Sequence, residues 1–187
     1  MTTLETERLI LRNFIISDWK ALHEMINQYE SSGLAVYDHK WPTSPEEIRK
    51  VAERFASGDS YLAVWLKDTS RFIGFVSLNR EQKEDCREFN IGYIFNFDYH
   101  GKGYATEACR AAIGHAFDRL QARRVITGTA AANLASCRLL ERLGFKRTVE
   151  SVGSFRNTQD GKPIEFLGCT YAISRDEWEV TDKYGAG

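Results

Sequence analysis

Between residues 87 and 120 the chain passes from strand chemistry to helix chemistry across two glycines set one residue apart. Phe89-Asn-Ile-Gly-Tyr-Ile-Phe-Asn-Phe97 is rich in aromatic and β-branched residues and predicts a strand over 87–97. Tyr104, Ala105, Ala108, Cys109, Ala112, Ile113, Ala116, Phe117 and Leu120 then follow the i, i+4, i+8 rows of a buried helix face, which predicts a helix over 102–119. The first N–H groups of such a helix have no intrahelical acceptor and carry the positive end of its dipole, so they suit an anion. Gly101 and Gly103 let the chain turn and let a bulky ligand come close. A plain glycine turn is the other reading of the same residues.

Two phosphate motifs are excluded by spacing. A P-loop needs four residues between its first glycine and a Gly-Lys-Ser/Thr ending, and none is present. A dinucleotide fingerprint needs a third glycine, where Gly101-Lys-Gly103-Tyr-Ala-Thr106 has threonine. The chain continues with a predicted strand over 123–129. A short helix over 133–143 follows, apolar at Leu134, Leu139, Leu140 and Leu143 and stopped by Gly144.

Strand, glycine loop, helix, strand, Asn133-x-x-Ser136 helix, Leu143-Gly-Phe145: this order resembles the GNAT acetyltransferase superfamily, and within it the RimJ/RimL-like branch. Further carriers of the resemblance are Glu5-Thr-Glu-Arg-Leu-Ile-Leu-Arg12 at the start, Ile91-Gly-Tyr93, Gly101-Lys-Gly-Tyr-Ala-Thr-Glu-Ala108 and Asp160-Gly-Lys-Pro163. It implies an α/β (α+β) GNAT fold: a mixed, mostly antiparallel sheet of about seven strands with a central splayed parallel pair, flanked by about four helices. The other expected elements are strands at 8–15, 60–67, 71–79, 145–153 and 164–174 and helices at 17–29 and 44–57. Ser17-Asp18 and Ser44-Pro45-Glu46-Glu47 read as helix starts.

The implied chemistry is acetyl transfer from acetyl-CoA to an amine by direct attack in a ternary complex, with no covalent enzyme intermediate and no metal. By resemblance, His100, Gly101, Lys102, Gly103, Tyr104, Ala105 and Thr106 hold the pyrophosphate. Phe95, Asn96 and Phe97 offer backbone groups to the pantetheine arm. Asn133 bonds the arm and Ser136 lies near the sulfur, or the two simply cap the helix. Many superfamily members place a tyrosine where this chain has Leu140, and His100 replaces a residue that is usually Gln, Arg or Trp. Asn90 stands where many branch members carry Glu, which leaves Glu88, Asp98 or Glu165 as candidate bases acting through water, with a surface strand carboxylate as the other reading of Glu88. Tyr37, Asp38, Trp41, Tyr93 and Phe155 are the candidate acceptor-pocket residues, with Trp41 alternatively closing the core.

The missing carboxylate bears on the acceptor, because only a neutral amine attacks. A lysine-like amine is neutral about once in 2,500 molecules at pH 7, a deficit of roughly 4–5 kcal/mol, whereas a peptide α-amine is neutral roughly 10–15% of the time. A protein N-terminus is therefore the expected acceptor. A small amine (polyamine, amino acid or aminoglycoside) and a sensor that binds acyl-CoA without turnover remain open.

A chain of 187 residues, 43% hydrophobic and 27% charged, suits one domain over 1–187, with 178–187 expected as a frayed tail. A net charge of −1 and a pI near 6.4 leave no basic surface for nucleic acid or an anionic membrane. Arg119, Arg123 and Arg124 read as a solvated helix end, or as a contact for a phosphate or an acidic substrate. The expected location is cytoplasmic, with Cys86, Cys109, Cys137 and Cys169 as thiols, and the resemblance allows a homodimer.

Overall fold

The computed structural model describes residues 1–82 and 87–184; Cys86 and residues 185–187 lie outside them. Its strands are β1 (Thr3–Glu5), β2 (Leu9–Asn13), β3 (Tyr61–Leu66), β4 (Phe72–Arg80), β5 (Glu88–Phe95), β6 (Arg124–Ala130), β7 (Lys146–Gly153) and β8 (Phe166–Ser174). The helices are α1 (Trp19–Glu30), α2 (Pro45–Ala56), α3 (Tyr104–Asp118), α4 (Leu134–Arg142) and α5 (Arg175–Tyr184). Among the described residues this makes one eight-stranded sheet, ordered β1-β2-β3-β4-β5-β6-β8-β7, in which only β5 and β6 run parallel.

Both faces of the sheet are covered, which is why its central strands carry few polar residues. On one side α1 and α2 bury Leu22, Met25, Ile26, Ile48 and Phe55 against Phe14, Phe72 and Phe75. On the other, α3 and α4 bury Ala108, Ala112, Ile113, Phe117 and Leu140 against Leu62, Val64, Ile73, Val76 and Ile91. Ser44 caps α2 by accepting the Glu47 N–H at 3.4 Å, with Pro45 in the first turn. At the other expected start, Ser17 and Asp18 form a 3-10 turn, and α1 begins at Trp19. Asp18 instead accepts the Ile15 N–H and pairs with Arg12 at 2.8 Å.

Two counts are corrected. The eighth strand is β1, three residues long and too short to announce itself by alternation. The fifth helix is α5, so 178–184 is helical and not frayed: Trp178 is 5% exposed and packs on Phe117 at 6.1 Å between ring centroids. Ser174-x-x-Glu177 is a capping box, with Ser174 N donating to Glu177 Oε2 at 2.9 Å and Glu177 N to Ser174 Oγ at 3.3 Å. That signal was available in the sequence. No helix among the described residues is long and apolar enough to cross a membrane.

Candidate active site

The parallel strands part company early. β5 and β6 pair through Glu88↔Arg124, Phe89↔Val125 and Asn90↔Ile126 only, while β5 runs on to Phe95 and β6 to Ala130. Asn96 N donates to Ile73 O at 2.9 Å, so the even residues of β5 bond to β4 and the odd ones turn toward β6. Ala131 N donates to Leu167 O at 2.8 Å, which by the same alternation turns Gly128 and Ala130 toward β5. The backbone of Tyr93 and Phe95 thus faces that of Gly128 across a gap, and Gly128 has open space where a side chain would be. Gly74 lets β4 press close to β5 on the far side, since a Cβ there would meet Ile94 O at 2.5 Å.

Helices start at both ends of this V. After β5 the chain turns through Gly101 and Gly103, at φ +73° and +82°, into α3. These are left-handed conformations that favour glycine, and nothing lies within 4 Å of a Cβ built on Gly101. The first-turn N–H groups of Tyr104, Ala105 and Thr106 have no intrahelical acceptor. After β6, Asn133 caps α4 by accepting the Ser136 N–H at 3.2 Å.

A short polar contact joins β5 to α4: Tyr93 Oη lies 2.7 Å from Ser136 Oγ. Ser136 is buried, and burial pushes the Tyr93 phenol above its ordinary range, with nearby Cys109 adding to the rise and the Ser136 bond opposing it. Tyr93 therefore keeps its proton and can donate to Ser136, which frees the serine hydrogen for a ligand. Tyr93, expected as a wall of the acceptor pocket, thus turns its hydroxyl to Ser136.

The remaining expectations fare unevenly. His100 Nε2 donates to Phe95 O at 3.0 Å, Lys102 Nζ to Asp98 O at 2.9 Å, and Phe97 N to the Gln28 side chain at 2.8 Å. The Asn96 and Phe97 N–H groups are thus already bonded within the protein, and of the three residues expected to meet the pantetheine only Phe95 turns its backbone to the gap. Thr106 Oγ1 is 3.4 Å from Arg142. Glu88 is unsuited as a base, because its carboxylate pairs with Arg124 at 3.3 Å where the strands are still joined. It lies about 17 Å along β5 from Tyr93. Arg119 and Arg123 stand beyond the C-terminal end of α3, about 22 Å from the glycine loop.

On the acceptor side, Tyr37 packs on Phe166 at 5.4 Å, and Phe155, 46% exposed, lies between Phe166 and His39. Trp41 does close the core, edge-on to Phe55 and Phe75. Its indole N–H donates to Asp38 Oδ2 at 3.0 Å, so that carboxylate is engaged. Sequence reasoning missed the brace behind these residues. Arg156 bonds both carboxylate oxygens of Glu30, at 2.7 and 2.9 Å, and also Asp38 O, tying the β7–β8 loop to the end of α1. Burial raises the Glu30 carboxyl, but Arg156 and the Trp41 N–H outweigh it and hold the group below its ordinary range.

The chain matches a family model for the acetyltransferase (GNAT) domain over residues 8–146. The chain belongs to the GNAT acetyltransferase family. Among relatives, the uncharacterised N-acetyltransferase YnaD of Bacillus subtilis is 27% identical over 177 residues, covering 94% of this chain and 98% of its own. A GNAT-family acetyltransferase from Bacillus anthracis shares the fold with TM-score 0.79 at 24% identity, covering 94% and 99% of the two chains. RimL, a ribosomal L7/L12 alpha-N-protein acetyltransferase solved with coenzyme A, shares it with TM-score 0.76 at 20% identity and the same coverage. The GNAT enzyme described here is an N-acetyltransferase.

Proposed function

We propose that this N-acetyltransferase takes its acetyl group from acetyl-CoA and delivers it to the α-amine of a protein N-terminus. The gap between β5 and β6 receives the pantetheine arm, whose amides would otherwise lose their hydrogen bonds on leaving water. Phe95 and Gly128 supply backbone groups there, and the loop Gly101–Thr106 supplies N–H groups to the pyrophosphate. Asn133 keeps the turn after β6 in shape beside the arm.

The observation that carries the mechanism is the bond between Tyr93 and Ser136. Attack of a neutral amine on the thioester carbonyl expels a thiolate, which needs stabilising. A phenol near pKa 10 transferring its proton outright to a thiolate near 8.5 goes uphill by about 2 kcal/mol, and burial of Tyr93 widens that difference. Ser136 is therefore a hydrogen-bond donor to the developing thiolate, oriented by Tyr93, and not a proton source. The thiolate is neutralised by the proton that the attacking nitrogen sheds.

The α-amine reading is supported by the state of the nearby carboxylates. Asp38 is bonded to Trp41, Glu30 to Arg156, and Glu88 to Arg124, so all three carboxylates are engaged within the protein. An acceptor that is already partly neutral at pH 7 needs only ~1 kcal/mol of help. The test is thiol release from acetyl-CoA against a panel of peptides with free N-termini, the same peptides blocked at the α-amine but carrying lysine, and polyamines. Turnover confined to free N-termini is expected, and turnover on polyamines or lysine alone refutes the assignment.

A further inference from the structure

Positive charge gathers at the N-terminal end of α3, where the helix dipole alone makes cations unwelcome. Arg8, immediately before β2, is drawn there. Its Nη1 donates to Lys102 O at 3.1 Å, its guanidinium lies 4.5 Å over the Tyr104 ring, and Nη2 would sit 3.3 Å from a Cβ on Gly103. Arg142 reaches the same turn from α4, at Thr106. Glu107 is the counter-charge, and both its oxygens are committed. Oε1 accepts from Thr6 Oγ1 at 2.5 Å and from Arg8 N at 2.9 Å, while Oε2 accepts from Arg8 Nε at 2.7 Å and meets Nη2 at 2.6 Å. Of the five guanidinium N–H bonds, three are used, and one hydrogen on each terminal nitrogen has no acceptor among the described residues. The side chain is 42% exposed.

We propose that Arg8 is a ligand for a phosphate of the acyl donor, with Glu107 and Thr6 holding its guanidinium at the glycine loop. This rests on the reading of that loop as the pyrophosphate site. A planar fork beside a row of backbone N–H groups matches the several oxygens of a phosphate and not a single carbonyl. The costly placement of a cation at the helix start then offsets itself once the anion is bound.

The experiment compares acetyl-CoA with acetyl-pantetheine, which carries the same thioester and no phosphate, in wild type and in Arg8→Gln, Arg8→Lys and Thr6→Val. Arg8→Gln should raise the KM for acetyl-CoA about tenfold at unchanged kcat, and leave kcat/KM for acetyl-pantetheine as it was. Arg8→Lys should fall between, and Thr6→Val, which loosens Glu107 and leaves the guanidinium in place, should shift the ratio of the two donors in the same direction by less. Equal losses on both donors, or no loss on either, would overturn the proposal and leave Arg8 as a stitch between the N-terminal segment and α3. Should Arg8→Gln fail to fold, Arg8→Lys carries the test, a shift confined to acetyl-CoA supporting the proposal and an unchanged ratio rejecting it. If wild type itself does not prefer acetyl-CoA, the pyrophosphate assignment of the loop falls, and the role of Arg8 with it.

Discussion

Deleting the Ser136 and Tyr93 hydroxyls, singly and together, probes the short polar contact between β5 and α4. In the ground state the 2.7 Å bond between two neutral hydroxyls is worth about 1 kcal/mol. When a thiolate develops, the Ser136 hydrogen donates to an anion, and such bonds contribute about 1.5–3 kcal/mol. Ser136→Ala should therefore lower kcat by about 10- to 100-fold while the KM for acetyl-CoA stays within about twofold. Tyr93→Phe removes only the group that aims the serine, so a loss of about fivefold is expected. Because Tyr93 acts through Ser136, the double variant should be no slower than Ser136→Ala alone. Single-turnover thiol release with both substrates saturating reads the chemical step directly. A double variant slower by the product of the two single effects would separate the hydroxyls, and a Ser136→Ala enzyme at wild-type rate would reduce Ser136 to a buried helix-turn residue.

Gly103→Ala forces a side chain into a φ of +82° and to 3.3 Å from Arg8, and should cost about 1–2 kcal/mol in a urea melt and weaken acetyl-CoA binding in a titration. Arg156→Ala strands the Glu30 carboxylate, 9% exposed, without its cation; the loss should be about 3 kcal/mol. The melting temperature should then fall by roughly 6–12 °C, and the acceptor KM should rise while the KM for acetyl-CoA holds. Glu177 is held at a pKa of about 2 by Lys146 and the Ser174 N–H and hydroxyl, below its ordinary 4.5. A depressed carboxylate contributes stability above its unfolded pKa and loses it as pH falls through the folded value. Melting temperatures of wild type and Glu177→Gln should accordingly converge between pH 4.5 and 2; the side chain is 36% exposed, so solvent screening keeps the difference small.

Much of the layout was legible because it rests on local rules. The glycine loop was readable since only glycine tolerates two left-handed φ values so close together, and α3 since its apolar rows keep strict spacing. The Ser44 cap and the Asn133 cap each carry their signal within three residues. What escaped depends on pairs far apart in the chain. Nothing near Glu30 points to Arg156, 126 residues on, and nothing near Glu107 points to Thr6, although both ends of the second pair lie in motifs that were read separately. Tyr93 was read as a pocket wall because alternation gives its face of the strand but not the hydroxyl waiting on α4. Asp38 and Trp41 looked like pocket residues because an aromatic loop has the same composition whether it faces a ligand or a core.

Three paired residues on each side are a short seam for an eight-stranded sheet. Mechanically, β1 to β5 form one leaf and β6 to β8 another, hinged at Glu88–Asn90 and latched at Tyr93–Ser136. A donor seated in the gap as proposed would act as a further strand that stitches the leaves along their open length. Ligand binding then reinforces the whole molecule, adding RT ln(1 + [L]/Kd) to its stability. Amide protons of β5 and β6 along the gap should accordingly exchange more slowly with acetyl-CoA present than without it, the seam turning from an opening into part of the sheet for as long as the donor stays.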